Sequence, residues 1–232
     1  MNTSSPNPAG LTAIAETAVA MIQDGFVVGL GSGRAATAFV EALGEHVQQG
    51  LRVRGVATSQ ATSDLARRSA IPLASLDEIE AIDITVDGAD EVDPRLDLIK
   101  GWGGALVREK IVAAASGRLV ILVGSEKLVP ILGTRGKLPV EVVAFGLQPC
   151  RRRLAELGLI SEPRKAGGGL FVTDNGNYIL DCQLFQISNP AELEIQSRSI
   201  PGVVGTGLFL GMADTVLVQE GEQVQIRQRP KT

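Results

Sequence analysis

The chain has 232 residues, enough for one large domain or two small ones with a real hydrophobic core. It is 44% hydrophobic and 21% charged, as globular proteins are, and no apolar run reaches the ~18 residues that a membrane span needs. The net charge of −4 argues against non-specific binding of nucleic acid. We therefore expect no nucleic-acid or membrane partner, and an anionic ligand must meet a local positive site.

Two scarce residue types exclude further kinds of site. His46 is the only histidine, so histidine triads and multi-histidine metal sites are excluded, and we interpret it as structural or solvent-exposed. Cys150 and Cys182 are the only cysteines, which suits a reducing compartment better than a disulfide framework. No basic residue precedes Arg34, so the charged start of a secretory or mitochondrial signal is missing. We expect a cytoplasmic protein without a metal centre.

Strands and helices alternate along the first part of the chain. The predicted strands are "FVVGLG", "LRVRGVAT", "AIDITVDG" and "RLVILVGS", and the predicted helices are "LTAIAETAVAMIQ", "RAATAFVEALGEHV", "SQATSDLARRS" and "ALVREKIVAAAS". This alternation predicts an α/β fold, a Rossmann-like parallel sheet flanked by helices. Ligands bind at the carboxyl ends of such strands, where the loops at Gly31, Thr58, Asp87 and Gly124 lie.

The pattern changes after "KLPVEVVAF". A helix in "PCRRRLAELGL", a hairpin in "GLFVTDNGNYILDCQLF" and a helix in "NPAELEIQSRSIPG" follow in turn. The hairpin prediction depends on Asn175-Gly176, a dipeptide that tolerates positive φ. This order predicts an inserted α+β lid domain at residues 134–205, with the Rossmann-like catalytic domain formed by residues 1–133 and 206–232, and its last strands rejoining the first sheet.

The stretch "GLGSGR", from Gly29 to Arg34, lies between a predicted strand and a helix. Free N–H groups and the helix dipole favour anions there, and glycine lets a phosphate approach closely. An NAD-binding Rossmann pattern would need glycine in place of Arg34 and an acid within residues 50–63, and neither is present. The stretch predicts a phosphate site, with a plain tight turn as the alternative.

Asp87 and Asp90 come just after a predicted strand, in "VDGAD". A calcium loop is excluded because alternate positions do not carry oxygen ligands in the required order. Two interpretations remain, a solvated turn with Asx-type hydrogen bonds and part of an active site.

A lysine, a glycine loop and a glutamate lie close together in "KGWGGALVREK". Gly103 and Gly104 should expose N–H groups beside Lys100, and Glu109 falls one turn into the following helix. Glu109 is in one interpretation only a favourable partner of the helix dipole. The whole set also fits proton abstraction next to a carbonyl, with the glutamate as base while the lysine and amides hold the oxyanion.

Two further residues have open interpretations. Trp102, the only tryptophan, most simply packs against the core or a neighbouring subunit, and lining a substrate pocket is the alternative. Lys127 follows the fourth strand, where it either adds positive charge to the site or is only solvated.

Six ordered blocks resemble ribose-5-phosphate isomerase type A over about residues 11–228. The blocks are "GLGSGRAA", "VDGADEVD", "KGWGGALVREK", "LPVEV", "TDNGNYILD" and "PGVVGTGLFLGMAD". The resemblance implies interconversion of D-ribose 5-phosphate and D-ribulose 5-phosphate through an enediolate, with no metal or organic cofactor. It also implies a ferredoxin-like lid and a homodimer or homotetramer.

The resemblance also implies roles for individual residues. Glu109 would move the proton between C1 and C2, and Asp87, Asp90 and Lys100 would complete the catalytic set. The implied substrate contacts, with Trp102 added as a candidate, are Ser32, Gly33, Arg34, Ala35, Asp87, Gly88, Ala89, Asp90, Lys100, Gly101, Trp102, Gly103 and Lys127.

Two departures from the family pattern matter. Members often read "GTGST" where this chain reads "GSGRA", so hydroxyls are lost at Arg34 and Ala35, and we infer that the Arg34 guanidinium compensates by binding phosphate. Trp102 stands where glycine is common, which affects the expected loop conformation.

Other classes fit less well. A sugar-phosphate-sensing module would keep the phosphate loop without needing a base, and an amino-sugar-phosphate deaminase would need a well-placed histidine, which His46 is not. A CoA transferase is the remaining related enzyme class. The spacing of Lys100 and Glu109 favours the isomerase over all three.

Overall fold

The computed structural model describes residues 8–229. Its helices are α1 (Pro8–Val19), α2 (Arg34–Gln48), α3 (Gln60–Arg68), α4 (Leu106–Ala114), α5 (Leu147–Glu156) and α6 (Pro190–Arg198). Its strands are β1 (Val27–Leu30), β2 (Arg54–Ala57), β3 (Ile84–Gly88), β4 (Glu91–Val92), β5 (Leu98–Ile99), β6 (Leu119–Gly124), β7 (Lys137–Val142), β8 (Ile160–Pro163), β9 (Lys165–Ala166), β10 (Gly169–Leu170), β11 (Tyr178–Gln183), β12 (Val203–Thr206), β13 (Leu208–Phe209), β14 (Thr215–Glu220) and β15 (Gln223–Gln228).

These elements form two compact units, which we describe separately. Of the described residues, the first unit contains 8–88, 111–127 and 212–229, and the second contains 89–110 and 128–211. No helix within residues 8–229 is both long and apolar enough to cross a membrane.

The first unit is built on a six-stranded sheet in the order β2-β1-β3-β6-β14-β15. The first five strands are parallel, and β15 closes the edge antiparallel to β14. Strand β1 is buried along its whole length because both faces of a parallel sheet are covered. The predicted α/β class is confirmed, and β14 and β15 rejoin this sheet as expected. The order reverses between β1 and β3, and ligands bind at such switch points.

Helix α2 covers the sheet with apolar residues that recur at helical spacing. Ala36, Phe39, Val40 and Leu43 recur at helical spacing, and all four are buried. Phe39, Val40 and Leu43 belong to one core cluster with Leu30, Ile84, Leu122 and Leu217 of the sheet. Each larger side chain of this kind contributes about 1.5–3 kcal/mol when it is fully buried.

The second unit contains a four-stranded antiparallel sheet in the order β12-β7-β11-β8. Along the chain its elements run β7-α5-β8-β11-α6-β12, which is the βαββαβ order of ferredoxin-like folds. The predicted α+β lid architecture is therefore confirmed. Its core packs apolar side chains of this sheet and both helices around the buried thiols of Cys150 and Cys182.

The predicted long hairpin is only partly formed. Gly176 has φ +78, as the Asn-Gly turn requires, but only the Val172–Tyr178 bridge joins the two arms. Strand β10 instead pairs back with β9 across Gly167 and Gly168, both at positive φ. Strand β11 pairs with β7 and β8, so the predicted hairpin is limited to its turn and this one bridge.

The compact units also differ from the predicted domain bounds of 134–205 for the insert. The short strands β4 and β5 pair with each other, and β5 pairs with β13 in a separate three-stranded sheet. These pairings bring residues 89–110 and 206–211 into the second unit.

We predict that neither thiol reacts in the native protein. Cys150 and Cys182 are free and fully buried, and burial raises the pKa of Cys150 and raises that of Cys182 to about 12. Because the thiolate is the reactive form, Ellman's reagent at mildly alkaline pH should modify no thiol before unfolding and both in denaturant. Rapid modification of the folded protein would contradict this placement.

Candidate active site

The predicted residues of the first unit lie at one edge of its parallel sheet. The Ser32 loop, residues 31–33, follows β1, Asp87 and Gly88 end β3, and Lys127 lies just beyond β6. Strands β1, β3 and β6 are direct neighbours, so their carboxyl ends lie side by side. The predicted contacts in this group are Ser32, Gly33, Arg34, Ala35, Asp87, Gly88 and Lys127.

The Ser32 loop leads into α2 without a side-chain cap. Gly33 precedes the helix at φ +86, a conformation that favours glycine, and Arg34 is the first helical residue. Both residues are exposed, so the N–H groups of the first helical turn are accessible to an anion. This geometry fits a phosphate site better than a plain turn.

Asp87 shapes this loop from the end of β3. Its Oδ1 accepts hydrogen bonds from the Ser32 N–H (3.0 Å) and the Gly88 N–H (2.7 Å), and the residue is only 1% exposed. A Cβ at Gly31 would lie 2.3 Å from that oxygen, so only glycine allows the close approach. Asp87 is therefore not part of a solvated Asx turn, because it is buried and its Oδ1 accepts from the next residue and from a loop 55 positions away.

Lys100 and Glu109, in the second unit, form a buried ion pair. Lys100 follows β5, where its N–H donates to the Gly207 carbonyl at 2.9 Å, and Glu109 lies in the first turn of α4. Lys100 Nζ is 3.4 Å from Glu109 Oε1, and the two residues are 3% and 4% exposed. Removing either member of such a buried pair would destabilise the fold, because it would leave the other charge buried without compensation.

The glycine loop, residues 101–104, is a tight turn between these two side chains in sequence. Gly104 donates its N–H to the Gly101 carbonyl at 3.0 Å, and both glycines have positive φ. A Cβ on Gly104 would lie 2.5 Å from the Phe171 ring. Asp90 Oδ2 accepts the Trp102 N–H at 2.9 Å, so this second aspartate also holds a loop.

Trp102 packs within the second unit. Its Nε1–H donates to the Lys137 carbonyl at 3.2 Å, and the ammonium of Lys137 lies 5.0 Å from the ring centroid. The Arg135 guanidinium lies 5.6 Å from the same ring. These contacts favour the packing interpretation, and a substrate contact by Trp102 stays a prediction.

Sequence reasoning missed the contacts that Phe209, Lys110 and Arg164 make in this region. The buried Phe209 ring lies 5.5 Å from Lys100 Nζ and 5.0 Å from Lys110 Nζ. Lys110 pairs with Glu194 at 3.0 Å, and burial lowers its pKa while Glu194 partly offsets that shift. Arg164 donates to the glycine loop. Phe209 lies in the block "PGVVGTGLFLGMAD", which marked the segment without indicating a role.

Within residues 8–229, no group of three or more His, Cys, Asp or Glu side chains is placed to hold a metal ion.

The chain was compared with known proteins by sequence and by fold. A family model described as ribose 5-phosphate isomerase A (phosphoriboisomerase A) matches residues 54–223. Ribose-5-phosphate isomerase A of Sphingopyxis alaskensis is 49% identical over 212 residues, which cover 91% of this chain and 92% of that one.

Solved structures agree with the sequence match. Ribose 5-phosphate isomerase A from Methanocaldococcus jannaschii has a TM-score of 0.92 and 39% identity, covering 96% of this chain and 100% of that one. A D-ribose-5-phosphate isomerase in complex with phospho-erythronic acid has a TM-score of 0.93 and 38% identity, covering 97% and 100%. The resemblance inferred from six sequence blocks is confirmed: the chain belongs to the ribose 5-phosphate isomerase A family.

Proposed function

We propose that this protein interconverts D-ribose 5-phosphate and D-ribulose 5-phosphate, as the names of its relatives indicate for those proteins. The observation that carries the proposal is the buried Lys100–Glu109 pair beside the glycine loop. A sensing module would need an anion site but has no use for a buried carboxylate and ammonium 3.4 Å apart.

The isomerisation needs one base and one site for negative charge. Glu109 removes the proton from C2 of the aldose, the electrons form the C1–C2 double bond of an enediolate, and Glu109 returns the proton to C1. The O1 oxygen gains a proton and the O2 oxygen loses one, so atoms and charge balance over the cycle. Lys100 and the loop amides stabilise the oxyanion meanwhile.

The remaining residues hold the substrate. Ser32, Gly33, Arg34 and Ala35 bind the phosphate with their N–H groups and the guanidinium, and Lys127 adds a further cation. Asp87 and Asp90 accept sugar hydroxyls, since a carboxylate offers about four acceptor positions. Gly88, Ala89, Gly101, Trp102 and Gly103 complete the proposed substrate contacts.

The proposed enzyme needs neither metal nor organic cofactor. We further infer a homodimer or homotetramer in the cytoplasm, because the resemblance implies such assemblies and both cysteines are free thiols.

We predict that the purified protein isomerises ribose 5-phosphate with EDTA present. The proposed chemistry uses a carboxylate, an ammonium and amides, so removal of metal should leave the rate unchanged in a coupled assay for ribulose 5-phosphate. Activity that disappears with chelator and returns with a divalent ion would contradict the mechanism. Binding of the sugar phosphate without turnover would favour the sensing module.

Replacement of Glu109 by Gln tests the base. The variant keeps the side-chain volume but cannot accept the proton, so kcat should fall by about 10²–10⁴-fold with little change in substrate affinity. Loss of one charge of a buried pair also destabilises the fold by about 3–5 kcal/mol, so a Kd for ribose 5-phosphate should be measured to show that the variant is folded.

The matched control is Glu156→Gln, at an exposed carboxylate at the end of α5. Its kcat should equal that of the wild type. If Glu109→Gln still exchanged the C2 proton with solvent at the wild-type rate, another residue would be the base, with Asp87 the next candidate.

Replacement of Arg34 by Ala tests the phosphate contact. Loss of a charge-assisted hydrogen bond should weaken transition-state binding of ribose 5-phosphate by about 1.5–3 kcal/mol in kcat/KM. Turnover of unphosphorylated ribose should change much less, and Arg68→Ala, an exposed arginine of α3, should affect neither sugar. An equal loss for both sugars, or no loss, would show that Arg34 does not bind the phosphate.

A further inference from the structure

Arg164 reaches the glycine loop from outside the predicted site. It lies between β8 and β9, and its side chain is only 11% exposed. Its Nη1 donates to the carbonyls of Gly101 (3.0 Å) and Trp102 (3.1 Å). Its Nε and Nη2 donate to the two carboxylate oxygens of Asp181 at 3.0 and 2.5 Å. The guanidinium is therefore fixed on one side and holds two consecutive peptides on the other.

The peptide between Gly101 and Trp102 is held at both ends. Arg164 binds its carbonyl, and Asp90 accepts its N–H at 2.9 Å. Because a trans peptide is planar, its oxygen and hydrogen point in opposite directions, and these two contacts fix the orientation of the plane.

The next peptide is held at its carbonyl alone. Arg164 binds the Trp102 oxygen, so the N–H of Gly103, on the same peptide, must point away from the guanidinium. Gly103 is exposed, whereas Gly101 and Gly104 on either side are buried. Arg164 thereby determines the direction in which the loop presents this amide.

The surroundings of Arg164 hold its guanidinium in place beside the glycine loop. The Phe171 ring lies 5.8 Å from the guanidinium carbon and also packs on Gly104. Asp181 lies on β11 in the interior of the four-stranded sheet, so the support is rigid. Lysine could keep an ion pair with Asp181, but its compact ammonium lacks the planar fork that serves the carboxylate and both carbonyls together.

We propose that Arg164 is a positioning residue for the isomerisation, which acts by orienting the glycine loop so that the Gly103 N–H faces the substrate oxyanion. The kinetic part of this proposal rests on the proposed function. The structural part, that Arg164 orders residues 101–104, does not.

The test compares Arg164→Lys with Arg151→Lys. Arg151 lies in the same unit and donates to the Ser161 carbonyl (2.9 Å) and to Glu162 (2.5 Å), with no bond to the loop. Misplacement of an oxyanion donor should lower kcat of Arg164→Lys by about 10–100-fold with KM little changed, whereas Arg151→Lys should match the wild type.

Two further measurements report on the loop itself. Trp102 is the only tryptophan, so fluorescence anisotropy and iodide quenching observe this segment alone. Amide hydrogen exchange of a peptide covering residues 101–104 reports its order. Arg164→Lys should lower the anisotropy, increase quenching and accelerate exchange, and Arg151→Lys should do none of these.

Several results would overturn the proposal. These are an unchanged kcat in Arg164→Lys, an equal loss in Arg151→Lys, or a fall in kcat with the fluorescence and exchange of the loop unchanged. If Arg164→Lys fails to fold, Asp181→Asn removes the charge that fixes the guanidinium and should give the same kinetic and loop changes. An inactive wild type would contradict the proposed function, while an active wild type with an unaffected Arg164→Lys would contradict only this inference.

Discussion

Loops that end buried strands leave backbone N–H groups that no neighbouring strand accepts, and side-chain carboxylates accept many of them in this protein. A buried N–H without an acceptor costs about 1–3 kcal/mol of folding free energy. Each such carboxylate removes that cost and so stabilises its loop in the observed conformation. Carboxylates that accept loop or strand-end N–H groups in this way include Asp83, Asp87, Asp90, Glu91, Asp93, Asp97 and Asp214. The acidic residues at and after the end of β3 therefore have a structural role as acceptors of backbone N–H groups, whether or not a ligand is bound.

This constraint makes the structural and catalytic interpretations of Asp87 and Asp90 compatible. Each commits one oxygen to a loop N–H, Asp87 to Ser32 and Asp90 to Trp102. A carboxylate has two oxygens and about four acceptor positions, so it can hold a loop and still accept a sugar hydroxyl. A loop fixed before the ligand arrives needs no reorganisation during the reaction, which is the condition for electrostatic stabilisation of an oxyanion.

The sequence predicted those features that depend on local pattern. Apolar runs indicated the parallel strands, and Lys100 and Glu109, nine positions apart, were paired on chemical grounds that the 3.4 Å contact supports. Features set by distant residues were missed. Arg164 is 63 residues from Gly101, and nothing near it indicates a loop contact. The compact units differ from the predicted bounds of the insert, and the strands β4, β5 and β13 that account for the difference have two residues each, too few to show a strand period.

The Lys100–Glu109 pair is not explained by folding stability alone, since a buried ion pair often stabilises a fold no more than apolar residues of similar volume do. Under the proposed mechanism its value lies in charge balance. When Glu109 takes the C2 proton it becomes neutral, and the enediolate gains the negative charge that Glu109 lost. Lys100 therefore faces one negative charge before, during and after the transfer, and only the position of that charge changes. The contact between Lys100 and the Phe209 ring, at 5.5 Å, helps to keep the ammonium in place through both states.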